Sequence, residues 1–277
     1  MNDEALSLLR CPLCFQPLAA TGGQSVGCGQ GHRFDLARQG YLPLLGARSR
    51  TDTGDDAAMM EARAEFLGAG HFRPIADAVA GRSTGVVLDI GAGTGYYLAH
   101  SEPVLGIALD ASRYAARRAA KAHPRVGAVL ADAWAPLPVR SAAIDTVLVI
   151  FAPRTPAEIG RVLRPNGAAL VVSPMPAHLA EIRGALGMLD IEAGKADSLQ
   201  QRWGDEFTQV SSTAVTAEMC LGHGDLRALV AMGPAARHRS AAETSAAVGA
   251  LPERVSVTLS VTLTHLRLSP VAQRTPH

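Results

Sequence analysis

The run Val86-Val87-Leu88-Asp89-Ile90 passes directly into Gly91-Ala92-Gly93-Thr94-Gly95, so a glycine turn stands at the carboxyl end of a strand-length apolar segment. In an open parallel sheet that is where ligands bind, because the turn lets the backbone come close to them and the next helix begins there. The rhythm continues through Val104 to Leu109, Val126 to Leu130, Ile144 to Ile150 and Ala168 to Val172, with helical stretches between these runs. Such alternation predicts an α/β fold with a mostly parallel sheet. The chain has 277 residues, 48% of them hydrophobic, enough for one such domain and a small appendage.

A lone glycine turn is weak evidence for any one ligand. Asp110 strengthens it: it lies 19 residues after Gly91, at the end of the second run, where a carboxylate accepts both hydroxyls of a ribose. The turn lacks the third spaced glycine of a dinucleotide fingerprint, which favours S-adenosylmethionine over NAD. Asp132, in Ala131-Asp132-Ala133-Trp134 after the third run, is placed to meet an adenine amino group, with Trp134 as an apolar wall. The expected cofactor-binding set thus includes Asp89, Gly91, Ala92, Gly93, Asp110 and Asp132. The expected fold is a Rossmann-like class I methyltransferase.

Cys11, Cys14, Cys28 and His32 form C-x2-C, a gap of 13 residues, then C-x3-H. Thiolates and an imidazole in two close pairs suit tetrahedral Zn2+, and four protein ligands leave no open position, so the expected role is structural. The fourth cysteine, Cys220, is isolated, and this distribution does not suit a disulfide framework. Arg33, Arg38, Arg48 and Arg50 lie on or just after the module, interleaved with Phe34 and Tyr41. The aromatics suit either base stacking or a small core.

Three segments are expected: a zinc-binding module over 1–46, whose purpose the residues leave open, a linker and helix packing on the cofactor site over 47–80, and the methyltransferase domain over 81–277. A polar stretch from Thr51 to Asp56 precedes a helix from Ala57 to about Leu67. A second helix, from about Ser112 to Ala122, carries Arg113, Arg117, Arg118 and Lys121 without an acid, either as a solvated face or as an RNA-facing stripe. A third is expected near Leu179 to Leu189, then a variable stretch to about Arg239. Arg254 to Leu268 alternates as a strand pair or one long bent strand, and the last residues read as a loose tail. No run of about 18 apolar residues occurs and the start is acidic, so a soluble, cytoplasmic protein without membrane contact is expected. The net charge of +1 neither demands nor excludes nucleic acid.

After Ile150 the chain reads Phe151-Ala152-Pro153-Arg154. Enzymes that methylate exocyclic amines carry Asp or Asn followed by Pro-Pro and an aromatic at this place. That polar residue is missing here, which favours a ring nitrogen or another nucleophile.

The zinc ligands followed by His32-Arg33-Phe34-Asp35, then Gln39-Gly40-Tyr41, Met59-Met60-Glu61-Ala62-Arg63, Gly70-His71-Phe72, Leu88-Asp89-Ile90-Gly91 and Phe151-Ala152-Pro153, together resemble the bacterial 23S ribosomal RNA guanine-N1 methyltransferases. The likeness runs from about residue 10 to 180 and is weaker beyond. Phe151-Ala152-Pro153-Arg154 is similar to the tylosin-resistance branch. The resemblance implies methylation of a guanine in a domain II hairpin at the peptide exit tunnel, of the 748 type in preference to the 745 type. It also implies a contribution to macrolide resistance, recognition of the 23S rRNA by the zinc domain, and a homodimer. It adds Phe72, Tyr97, Leu98 and His178 to the cofactor-binding set, and where relatives have a longer helix the stretch from Gly95 to Pro103 is expected to hold about two turns. No residue stands out as acceptor of the guanine N1 proton; Arg154 is a candidate to stabilise O6 as that proton leaves. Two other readings stay open: a zinc-containing methyltransferase of a small molecule or protein, and a non-catalytic zinc RNA-binding factor.

Overall fold

A computed structural model describes residues 1–46, 54–191, 203–233, 236 and 239–269. Arg48, Arg50, the start of the Thr51 to Asp56 stretch and the tail from residue 270 lie outside the described residues.

The main sheet comprises β4 (Leu42–Pro43), β5 (Val86–Ile90), β6 (Leu105–Asp110), β7 (Val126–Leu130), β8 (Ile144–Ile150), β9 (Leu163–Pro174), β10 (Phe207–Gly222) and β11 (Arg254–Leu268). Its spatial order is β10-β11-β9-β8-β5-β6-β7-β4. Strands from β4 to β9 pair parallel, and β11 is antiparallel to both β9 and β10. The central strands read as continuous apolar runs because helices cover both faces; every residue of β7 is buried. The order reverses between β5 and β8, so the crevice at the carboxyl ends of these two strands is the topological switch point.

Among the described residues the helices of this domain are α2 (Ala57–Gly68), α3 (Arg73–Ala80), α4 (Tyr96–His100), α5 (Arg113–Ala119), α6 (Pro156–Val162), α7 (Ala180–Leu186), α8 (His223–Ala231) and α9 (Ala241–Gly249), after a short N-terminal α1 (Asp3–Ser7). The Asp56 carboxylate caps α2 by accepting from the Met59 N–H at 2.9 Å. Ser112 caps α5 in the same way, through Tyr114 and Ala115. That helix stops short of Ala122 because Pro124 follows and cannot continue it. α4 spans five residues, shorter than the two turns expected.

One other difference concerns the C-terminal half. The stretch read as variable holds β10 and α8. In β10 the pattern is mostly half-buried alternating with exposed, carried by Ser, Thr and Ala, so little apolar contrast marks it as a strand. Arg254 to Leu268 is one long strand, held between β9 and β10.

Ahead of the domain, β1 (Leu18–Gly22), β2 (Ser25–Cys28) and β3 (Arg33–Asp35) form a small antiparallel sheet. This small sheet is joined firmly to the main domain. The Arg10 N–H donates to the Pro138 carbonyl at 3.0 Å and the Arg140 N–H to the Leu8 carbonyl at 2.8 Å. Cys11, Leu18 and Val26 belong to the same buried cluster as Leu88 and Ile107. The module also hands its chain to the main sheet, where Leu42 sits opposite Val129.

Candidate functional site

Cys11, Cys14, Cys28 and His32 come together with their ligand atoms all within 4.8 Å of one another. The Cys14 and Cys28 sulfurs are 3.5 Å apart, and His32 Nδ1 lies 3.6 Å from Cys11 Sγ and 3.4 Å from Cys28 Sγ. A tetrahedral Zn2+ with ~2.3 Å bonds to sulfur and ~2.0 Å to nitrogen requires edges of about 3.8 and 3.5 Å. The donor set therefore fits the ion, with Nδ1 as the imidazole ligand. Desolvation opposes ionisation of Cys28, yet backbone N–H groups at Gln30 and His32 and the Cys14 and His32 side chains bring its pKa down to about 6.

At the switch point the structure encloses a cavity of about 680 Å3, within the ~300–1,000 Å3 usual for small-molecule sites. Its floor is the glycine turn. Gly91 has φ of +71°, and a Cβ there would stand 2.8 Å from the Ala152 Cβ; a Cβ on Gly95, at φ +78°, would stand 2.9 Å from that of Ala122. The turn is closed from the side by Asp110, which accepts from the Gly93 N–H at 2.9 Å and the Ser112 N–H at 2.8 Å. Burial raises the Asp110 pKa against these two donors.

Asp89 is 2% exposed, and its Oδ2 has no hydrogen-bond partner among the described residues. Burial, and then the neighbouring Asp110 charge, push its pKa well above the carboxylate range. A buried, unpartnered carboxylate oxygen on a cavity wall fits a ligand that brings a cation, as the ammonium of S-adenosylmethionine does. Tyr97 also lines the cavity, and burial raises its phenol pKa so that it stays neutral.

On the far side, Phe72, Phe151 and His178 form a triangle of rings. Phe151 stacks on His178 with centroids 6.1 Å apart, and Phe72 lies 6.3 Å from Phe151 and 5.9 Å from His178. Phe72 is buried, whereas Phe151 is 45% exposed with φ of +53°. That φ is rare for a bulky side chain, and strained positions of this kind cluster at functional sites. Trp134 is 55% exposed and lines the cavity too, its backbone N–H donating to Asp132 Oδ1 at 2.9 Å.

Among the residues expected from sequence, Phe72, Asp89, Gly91, Ala92, Gly93, Tyr97, Asp110, Asp132 and His178 all line this cavity. Leu98 does not: its side chain is fully buried behind the turn, against Gly106, because α4 turns that face toward the sheet. Arg154 is likewise outside the wall, with Nη1 3.5 Å from Ser173 Oγ. Sequence reasoning missed Asp55 and Arg63, which line the cavity as an ion pair at 2.6 Å. Arg63 Nη2 also donates to the Met232 carbonyl at 2.8 Å, which ties α2 to the end of α8 over the site. Arg63 stood in the Met59 to Arg63 motif, but partners so distant in sequence leave no local signal.

Comparison with known proteins matches residues 9–51 to the zinc-ribbon family described as "RlmA, N-terminal", and residues 88–171 to a methyltransferase domain family. The chain is 40% identical over 282 residues to the 23S rRNA (guanine(748)-N(1))-methyltransferase of Streptomyces fradiae, covering 98% of this chain and 100% of that one. It is also 40% identical to a Micromonospora griseorubida protein provisionally named 23S rRNA (guanine-N(1)-)-methyltransferase, covering 96% and 99% of the two. Among solved structures it is similar to a chain of the complex between the Haloferax volcanii Trm112 methyltransferase activator and a provisionally named methyltransferase. That likeness has TM-score 0.50 and 17% identity, covers 81% of this chain and 100% of that one, and concerns the fold alone.

Proposed function

The chain belongs to the 23S ribosomal RNA guanine-N1 methyltransferase family, and on that premise we propose that it methylates N1 of a guanine in the domain II hairpin at the peptide exit tunnel, of the 748 type. The observation that carries the reading is that one likeness at 40% identity runs through the zinc module and the cofactor cavity together. The chain is an S-adenosylmethionine-dependent enzyme with a structural zinc.

When bound, the cofactor would supply an electrophilic methyl on a sulfonium, which guanine N1 takes in line as the thioether leaves. The residues around it have to align the two reactants and keep water out. In this reading the backbone at Gly91, Ala92 and Gly93 faces the methionine part, and Asp89 offers its unpartnered oxygen to the ammonium. Asp110, anchored by Gly93 and Ser112, keeps lone pairs for the ribose hydroxyls. Asp132 and Trp134 flank the adenine. Phe72 and His178 close the methionine end, and the exposed Phe151 ring is available to the target base. The N1 proton leaves to water at the mouth of the cavity, since His178 carries its proton on Nε2 and Asp89 is engaged with the ammonium.

The test is methyl transfer to a domain II hairpin, followed by primer extension. A stop at position 748 supports the reading, a stop at 745 moves the target to its neighbour, and label found only outside RNA defeats it. A macrolide contribution is read as a raised tylosin tolerance in a sensitive host carrying the active chain, lost with a variant that cannot bind cofactor. Also part of this proposal are a cytoplasmic location and a homodimer, the latter checked by light scattering. Among the described residues no helix is long and apolar enough to cross a membrane.

A further inference from the structure

From residue 111 to 131 the chain carries no Asp or Glu, yet it holds Arg113, Arg117, Arg118, Lys121 and Arg125. All five are exposed. Elsewhere several arginines work as internal ties: Arg10 and Arg161 converge on Glu158, Arg164 on Asp145, and Arg63 on Asp55. Around α5 the pattern is different. Among the described residues no carboxylate lies within ion-pairing distance of any of these five cations. Arg113 instead lies over the Tyr114 ring, 4.8 Å from its centroid, inside the ~6 Å limit for such a contact. A chain whose net charge is only +1 has thus gathered uncompensated charge on one outer face.

That face is joined at both ends to the parts that matter. Ala111, just before the Ser112 cap, lines the cofactor cavity, so the stripe starts at the cavity rim. Beside it, the turn from Ala37 to Tyr41 is closed by the Ala37 N–H to the Tyr41 carbonyl at 2.9 Å, and its Gly40 packs toward Ala120 at the end of α5. Arg38 rides on that turn and is exposed, so the module brings a cation of its own beside α5.

We propose that the outer face of α5 and the turn that follows it, with Arg117, Arg118 and Lys121 at its centre, is the track on which the phosphate backbone of the RNA substrate lies while its target guanine enters the cavity. The inference rests on the proposed function and adds a surface to it. A polyanion is the occupant that matches a row of solvated, uncompensated cations. Binding releases its counterions, and each contact carries no base specificity. The zinc module then reads the hairpin, and α5 holds its backbone in register.

The test uses the full zinc-loaded chain with Arg117→Gln, Arg118→Gln and Lys121→Gln combined, beside a charge-keeping Arg117→Lys, Arg118→Lys variant. KM and kcat on the domain II hairpin are measured at several salt concentrations, with cofactor affinity by calorimetry. The expected result is a KM raised roughly tenfold at ~0.15 M salt, kcat and cofactor affinity unchanged, and the log-log salt dependence shallower by about one unit per residue removed. The lysine variant stays near the parent. An unchanged KM and salt slope overturns the track, as does a KM change that is the same at every salt concentration. If the parent chain fails to methylate the hairpin, the functional reading falls. Fluorescence anisotropy of hairpin binding by parent and triple variant still decides the track, equal affinities overturning it.

Discussion

The backbone N–H of Ser260, in β11, donates to Nδ1 of His178 at 3.2 Å, across 82 residues of sequence. The bond fixes the tautomer. With Nδ1 accepting, the proton sits on Nε2, and the imidazole on the cavity wall is a donor. The same contact disfavours a second proton, and burial, then the Arg183 charge, bring the His178 pKa down to about 4.

A pH signature results. Because the folded value lies below the ordinary ~6.5 of histidine, the unfolded chain binds the proton more readily. The resulting stability is complete above pH ~6.5 and is lost as pH falls through the folded value of about 4. Over that window the loss amounts to roughly 3 kcal/mol. In His178→Gln, whose amide accepts and donates without titrating, the window disappears. Urea unfolding of the two proteins at pH 7.5, 6.0 and 4.5 measures it, and parallel stability curves would refute the assignment.

Asp89 predicts a trade between stability and function. Its folded pKa is raised, so the stability linked to the neutral carboxyl is present below the unfolded value and is lost as pH rises. At pH 7.5 the empty protein therefore carries a destabilising group. Asp89→Asn should raise the Tm of the cofactor-free protein by a few degrees, about 1 kcal/mol being worth ~2–4 °C at this size. It should also weaken cofactor affinity by tenfold or more. Thermal unfolding with and without S-adenosylmethionine reads both effects, and a Tm that drops in the empty variant would contradict the account.

The legibility of such features divides along chain distance. Val86–Ile90 and Val126–Leu130 were readable to the residue because buried parallel strands need uninterrupted apolar runs. The four zinc ligands were readable from spacing alone, since each pair closes within one turn. β10 was not, because its inward residues are small and its outer face is polar. Neither was the Asp55 to Arg63 pair, nor the tie from Arg63 to Met232, because their meaning depends on which helix end comes to lie over the turn. Leu98 shows the converse: adjacent to Tyr97 in sequence, it lies about 100° further round α4 and packs toward the sheet while Tyr97 lines the cavity.

Metal removal should reach beyond the module. Cys11 is fully buried and shares a core with Leu88 and Ile107, while Leu9 bridges to Val139. Loss of zinc frees β1 to β3 and also uncovers apolar surface of the main domain. Chelation is expected to lower the Tm of the whole chain and abolish RNA methylation, with both restored by Zn2+. A chelated protein that keeps its Tm would mean the module is energetically separate.

Phe151 offers a test of the target side. Its backbone sits at φ +53°, where a side chain costs roughly 1–2 kcal/mol, and its ring is still 45% exposed at the mouth of the cavity. Packing does not repay that conformation. A base stacked on the ring does, at ~1–3 kcal/mol per base. Phe151→Gly removes the ring and relieves the φ, so the variant should match the parent in stability to within about 1 kcal/mol and bind cofactor equally well. Its kcat/KM on the hairpin should fall by roughly 5- to 150-fold, the rate equivalent of one lost stack. Phe151→Tyr, which keeps a ring, should retain most of the activity. Equal loss in both variants would show that the ring is needed for its fit against His178 and not for the base, whereas unchanged activity in Phe151→Gly would leave the strained backbone without its ligand.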